Sequence, residues 1–233
     1  MINTQLAREV NSLLPSIRMS IVPILNKRFS YLFFTIVLLF LLRPFIEGAT
    51  TLKFVTNIFL WFVIISCVWA VHHERQHHWL VLTLAIAAIM AGIMDSILQN
   101  TVTSWVSKMA ILFFLLYAVV AILFYLARQD KVTSDMIMAA ASEYVLIGIL
   151  WTFLYFMLET VYPGSFNCPG AEAEPSGFLY YSFVTLTTTG YGDILPVSIQ
   201  ARSLAILEMI TGQLYIAIMV ARLVGLYTSR DKI

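Results

Sequence analysis

The sequence predicts an all-α integral membrane protein, with six transmembrane helices and a re-entrant segment between the fifth and sixth. Three observations predict it. Of 233 residues, 60% are hydrophobic and 12% charged, a make-up foreign to ordinary soluble domains. Six apolar runs lie near 29–46, 54–72, 79–98, 105–127, 143–162 and 197–227, each close to the ~20 residues that a helix needs to cross a bilayer. Between the last two, 163–196 is long and broken by Gly and Pro. Irregular backbone is tolerated at membrane depth only where protein surrounds it or where it lines a watery path.

Composition also excludes functions. A formal net charge of +1 argues against a general nucleic-acid binder. Cys67 lies in an apolar run and Cys168 in a polar loop, so no intrachain disulfide is expected, and no CxxC or Cys/His zinc spacing occurs. The N-terminus lacks the basic-then-apolar plan of a cleaved signal peptide, so the transmembrane segments are expected to direct export. No nucleophile–base pair or metal-ligand set supports an enzyme, and no cofactor is expected.

In order along the chain, 1–28 is a cytoplasmic segment with Arg8, Arg18, Lys27 and Arg28 among scattered Leu and Ile. It reads either as interfacial helices broken near Pro15 and Pro23 or as a loose basic tail. Residues 29–128 form a four-helix domain, and 129–142 a cytoplasmic linker. Residues 143–228 form a helix, loop, helix module, and 229–233 a cytoplasmic end. All four histidines, His72, His73, His77 and His78, fall in the loop between the second and third helices. A hydrated polar turn is the plain reading of that loop. Metal binding through a helical His73/His77 pair, or proton sensing, is the alternative.

Within the last module, Thr187-Thr188-Thr189-Gly190-Tyr191-Gly192-Asp193 carries the chemistry. Two glycines in alternate places permit backbone conformations barred to residues with a Cβ. Successive carbonyls of Thr188 to Gly192 can then face one side of an extended strand, and a ring of such strands replaces the water shell of a cation. The Thr188 hydroxyl adds one more oxygen. This stretch resembles the selectivity filter of potassium channels, whose usual form is Thr-Val-Gly-Tyr-Gly. Thr189 stands in the Val place, where its side chain is expected to face the pore helix rather than the ion.

The resemblance covers 143–228 and implies an all-α pore module whose re-entrant pore helix and selectivity-filter loop lie between helices 5 and 6. It implies K⁺ held by Thr188, Thr189, Gly190, Tyr191 and Gly192, and Pro175-Ser176 starting the pore helix. The family's aromatic pair behind the filter tyrosine corresponds to Tyr180 and Tyr181, eight and seven residues before Thr188. Asp193 stands at the outer mouth. With Glu159, Glu172 and Glu174 it gives a negative vestibule, although a merely solvated loop is the better reading of Glu172 and Glu174.

On the last helix, Gly212 stands twenty residues after Gly192, where the family places a hinge; close packing against the pore helix is the equal alternative. Gln213, Ile216, Ala217, Val220 and Val224 have the helical spacing to line a cavity. Glu208, one turn before Gly212, is a carboxyl at membrane depth and so a functional candidate, with Gly212, for gating.

The first four helices occupy the place of a voltage sensor. The fourth carries only Lys108, with Arg128 at its boundary, and its middle, ILFFLLYAVVAILFYLA, is uncharged. A voltage-insensitive scaffold follows. Asp95 reads as an acid at the outer interface or as a partner of Lys108.

One filter copy per chain implies a homotetramer, with three identical subunits, the bilayer and K⁺ as partners. With the filter's Asp193 end outside, both termini are cytoplasmic in the plasma (inner) membrane. Ten Lys and Arg then lie inside (Arg8, Arg18, Lys27, Arg28, Arg75, Arg128, Lys131, Arg222, Arg230, Lys232) against four outside (Arg43, Lys53, Lys108, Arg202). With the sequence ending at Ile233, no regulatory domain is expected. The function expected is potassium conduction without voltage gating; the alternatives are a non-selective cation channel and a non-conducting scaffold that keeps the fold.

Overall fold

The computed structural model describes residues 28–46, 52–71, 78–168 and 175–230. In chain order these form α1 (Arg28–Ile46), α2 (Leu52–Val71), α3 (His78–Leu98), α4 (Thr101–Ala127), α5 (Ser134–Val161), β1 (Phe166–Asn167), α6 (Pro175–Leu186), β2 (Leu195–Pro196) and α7 (Ile199–Arg230). The N-terminal basic segment, the loop bearing His72, His73 and His77, and the acids Glu172 and Glu174 lie outside the described residues.

Three helix starts carry a side-chain cap, and two of them, those of α4 and α5, fall earlier than hydropathy suggests. Asn100 accepts a hydrogen bond from the Thr103 amide at 2.8 Å, which lets α4 start in the polar run Thr101–Ser104. Thr133 accepts from the Met136 amide at 3.1 Å. Helix α5 therefore takes in most of the stretch expected as a linker, and only 128–133 separates it from α4. Ser198 accepts from the Ala201 amide at 3.1 Å and starts α7.

Among the described residues, four helices are long and apolar enough to cross a membrane: Trp79–Leu98, Thr101–Ala127, Ser134–Val161 and Ile199–Thr228. The two earlier runs are helical, but their described apolar parts, Arg28–Leu42 and Leu60–Val71, are shorter than a crossing. The apolar segment Gly177–Leu186 of α6 is shorter still.

The four-helix domain packs on α5 of its own chain through α1 and α4. One continuous core runs through both, from Phe29, Leu32 and Ile36 on α1 through Phe114, Leu115 and Ile122 on α4 to Met136 and Leu146 on α5. Polar ties fix the ends. At one end the Asp135 carboxylate accepts from the Phe29 amide at 3.1 Å and pairs with Arg28 at 3.8 Å, while the Arg28 guanidinium lies over the Tyr125 ring. At the same end Arg222 on α7 donates to the Ala127 carbonyl at 2.6 Å and the Gln129 carbonyl at 3.0 Å. It thereby supplies partners to carbonyls at the end of α4 that have none within the helix.

At the other end, the Lys108 ammonium lies 4.6 Å from the centroid of the Phe156 ring on α5 and 5.5 Å from that of Trp105. Asp95 accepts instead from the Thr103 hydroxyl at 3.2 Å, and no ion pair joins it to Lys108 among the described residues. The one basic residue within the fourth helix is thus committed to holding α4 on α5.

Candidate functional site

Helix α6 sits between α5 and α7 and packs on both. Pro175 opens it, where a missing amide hydrogen costs nothing. At its far end the chain leaves the helix in an unusual way. Thr188, Gly190 and Gly192 have φ of +56°, +63° and +79°, so every second residue is left-handed. Left-handed residues at alternate places permit successive carbonyls to turn toward one side, where those of an ordinary β-strand alternate. For a β-branched residue such as Thr188 this conformation is a true outlier. Its amide donates to the Thr185 carbonyl at 2.9 Å, and the next amide, of Thr189, donates to the Val184 carbonyl at 2.9 Å. The Gln213 amide from α7 reaches the Thr188 hydroxyl at 3.3 Å. The Thr189 hydroxyl lies 2.8 Å from that of Thr187, which in turn donates to the Phe183 carbonyl at 2.6 Å. So Thr189, in the place where valine is usual, is tied back toward the helix end.

The outer side of this loop is framed. Strands β1 and β2 pair antiparallel, Phe166 with Pro196 and Asn167 with Leu195, and the Val197 amide donates to Ser165 at 2.8 Å. Glu159 accepts from the amides of Gly164 at 2.7 Å and Phe166 at 3.2 Å. Its carboxylate shapes the turn after α5. Of the two tyrosines expected behind Tyr191, Tyr180 lies parallel to it, with centroids 6.3 Å apart and planes 2° apart. Tyr181 turns the other way and joins Tyr155, Phe166 and Phe178 in a second, aromatic core.

The Tyr180 hydroxyl donates to Asp193 at 2.7 Å, and the Ile194 amide donates to the same carboxylate at 3.0 Å. The Tyr180 bond is the main cause that holds the Asp193 carboxyl below its ordinary range. Its charge therefore persists to lower pH than that of a free aspartate. Tyr180→Phe keeps the ring and removes that bond. Conductance measured against external pH is expected to fall with acid in both proteins, with the fall beginning at higher pH in Tyr180→Phe. Superimposed curves would mean that Asp193 carries no charge that ions feel.

Behind the loop, Glu208 on α7 is fully buried. Its Oε2 lies 2.5 Å from the Tyr155 hydroxyl of α5, and its Oε1 lies 2.5 Å from the Ser182 hydroxyl of α6. One turn on, Gly212 faces the last carbonyl of α6, and a Cβ there would collide with the Leu186 oxygen. Helix α7 is continuous from Ile199 to Arg230, and at Gly212 its backbone closely approaches that of α6. The expected cavity residues Gln213, Ile216, Val220 and Val224 are all exposed in the single chain, with Ala217 beside them. So are Ile206, Leu207, Ile210, Leu214 and Ile218, an apolar surface too extensive for a monomer in water.

Several site residues are not marked by the motif. The Tyr144 hydroxyl donates to the Leu186 carbonyl at 3.3 Å, and the Tyr215 hydroxyl to the Ala140 carbonyl at 2.7 Å, so the C-terminal end of α6 and the middle of α7 are pinned to α5. The Gly148 carbonyl receives Ser182 at 2.7 Å, and its missing Cβ makes room for the Phe183 ring. The usable signal was the tyrosines themselves, since a phenol hydroxyl buried among apolar helices nearly always has a partner.

Residues 143–229 match the model of a family described as Ion channel, a stretch that runs from Glu143 on α5 to the end of α7. The match supports the pore-loop cation channel superfamily for this module, and with it a channel rather than an enzyme. No curated protein and no solved structure matches the chain.

Proposed function

We propose that this protein is a potassium-selective channel of the plasma membrane, built from four copies around one axis, with no voltage gate. The observation that carries the reading is the left-handed φ at Thr188, Gly190 and Gly192, on the residues that resemble the potassium filter. Four such strands give rings of carbonyl oxygens that replace the hydration shell of K⁺ from Thr188 to Tyr191. Helix α6 is then the re-entrant pore helix, and its C-terminal end directs partial negative charge toward the inner cavity, where a cation is stabilised.

In this reading α1 to α5 and α7 are the six crossings. Arg28, Arg128, Lys131 and Arg222 lie on the cytoplasmic side with both termini, and Asp193 and Lys108 lie outside. The exposed apolar faces of α7 are covered by neighbouring subunits and lipid. Insensitivity to voltage is supported by the placement of Lys108, stacked on Phe156 at a helix end and not strung along the membrane normal.

Purified protein in liposomes tests the reading. It is expected to run as a tetramer by mass, to pass K⁺, and to give a current whose voltage dependence reflects permeation alone. A conductance that rises steeply over tens of millivolts and is lost in Lys108→Gln would overturn the voltage-insensitive scaffold. A conducting dimer would overturn the fourfold ring.

A further inference from the structure

Three helices of the pore module meet at one buried carboxyl, and the hydrogens there can be counted. Tyr155 of α5 lies 2.5 Å from Glu208 Oε2, Ser182 of α6 lies 2.5 Å from Glu208 Oε1, and the same Ser182 oxygen lies 2.7 Å from the Gly148 carbonyl oxygen. The Gly148 carbonyl also accepts from Thr152 at 2.9 Å, which uses the only hydrogen Thr152 Oγ1 has. Three oxygen–oxygen contacts remain, each at hydrogen-bond length, and each needs one hydrogen between its oxygens. Tyr155 and Ser182 bring one hydrogen apiece, and a carbonyl brings none. An ionised Glu208 leaves one contact as two bare oxygens pressed together. A neutral Glu208 completes the set: its acid O–H donates to Ser182, Ser182 donates to Gly148, and Tyr155 donates to the other carboxyl oxygen. The bonds then run in one direction, so each polarises the next.

We propose that Glu208 is a proton-binding site, and that its neutral acid is the donor that locks α6 to α5 and α7. The titratable groups that face it are Tyr155 and Tyr144 from α5 and Tyr181 from α6, with none from α7 itself. Among the described residues it makes no ion pair, so nothing on these helices compensates a negative charge there. Base removes the acid hydrogen to bulk water. Ser182 then has one hydrogen for two acceptors, the contact to Gly148 or to Glu208 opens, and α6 loosens six residues before Thr188. Glu208 is a positioning residue in this scheme. Its effect on ions rests on the channel reading above, but its proton does not.

Infrared spectra of the full-length protein in bilayers separate the two. At neutral pH the wild type is expected to show a carbonyl band of a protonated carboxyl group that is missing in Glu208→Gln. That band is expected to shift in Ser182→Ala, which removes the acceptor of the acid O–H, and to disappear from wild type as pH is raised. Any signal from the other buried acid, Glu143, is common to all three proteins and cancels in the differences. Potassium flux is expected to change between neutral and alkaline pH in wild type and to be the same at both in Glu208→Gln. A neutral-pH carboxyl signal identical in wild type and Glu208→Gln overturns the proposal. If the Gln variant does not fold, a wild-type band unmoved by Ser182→Ala overturns it equally. Bands that behave as expected, with no flux from any variant, leave the proton site standing and sink the channel reading.

Discussion

Gly190→Ala is expected to abolish potassium flux while the protein still assembles. Nothing lies within 4 Å of the position a Cβ would take at Gly190, so crowding inside the chain is not the cause. The cause is the backbone: φ is +63°, and an L residue held in the left-handed region is disfavoured by about 1–2 kcal/mol. In a ring of four the term acts four times, on a loop with little to oppose it. Thr188 shows what opposition requires. It keeps a φ of +56° with its own amide bonded at 2.9 Å, the next amide bonded at 2.9 Å, and Gln213 on its hydroxyl. Gly190 has one amide bond, to Val184 at 3.4 Å. Alanine there is therefore expected to relax the strand and turn a carbonyl off the axis. Liposome flux checks this, with tetramer mass as the control for assembly. Normal flux from Gly190→Ala would show that the left-handed alternation is not what conducts.

Gly212→Ala separates a hinge from a close contact. If α7 bends at Gly212, alanine straightens it and gains about 1 kcal/mol of helix propensity. The open probability then moves, and stability holds or rises. The geometry predicts the reverse. The new Cβ collides with the Leu186 carbonyl, which is backbone and cannot swing aside. Overpacking of this kind costs roughly 1–3 kcal/mol and exceeds the propensity gain. The end of α6 must move, and it carries Thr187 to Thr189 with it. The expected outcome is a lower melting temperature of the assembled protein together with reduced flux. A variant as stable as wild type, altered only in open probability, would restore the hinge.

How much of this was legible in the sequence depends on how far apart the partners lie. The 187–193 motif is local, and its glycines mark the left-handed positions directly; only Thr188 joins them unannounced. The Tyr180–Tyr191 stack spans 11 residues, and the resemblance leaves it open between Tyr180 and Tyr181; the Tyr180–Asp193 bond, across 13 residues, is not marked by the sequence. Glu208 was conspicuous as an acid in an apolar helix, but its partners are 53 and 26 residues away, and periodicity says nothing about which hydroxyls meet it. Gly212 was equally readable as hinge or contact, because a missing side chain looks the same in either role. Hydropathy found the helices but misplaced the starts of α4 and α5. It tracks apolar side chains, whereas Asn100 and Thr133 start helices through polar ones. Lys108 reads only as a charge toward the outer end of the fourth helix, and its seat on Phe156 joins residues 48 apart.

The claim that most depends on the filter geometry is discrimination between K⁺ and Na⁺, and a bi-ionic recording tests it most directly. With K⁺ on one side of a bilayer holding the purified protein and Na⁺ on the other, the current is expected to reverse far from zero, in the direction set by K⁺. Reversal at zero, with equal passage of both ions, would contradict a carbonyl cage from Thr188 to Tyr191.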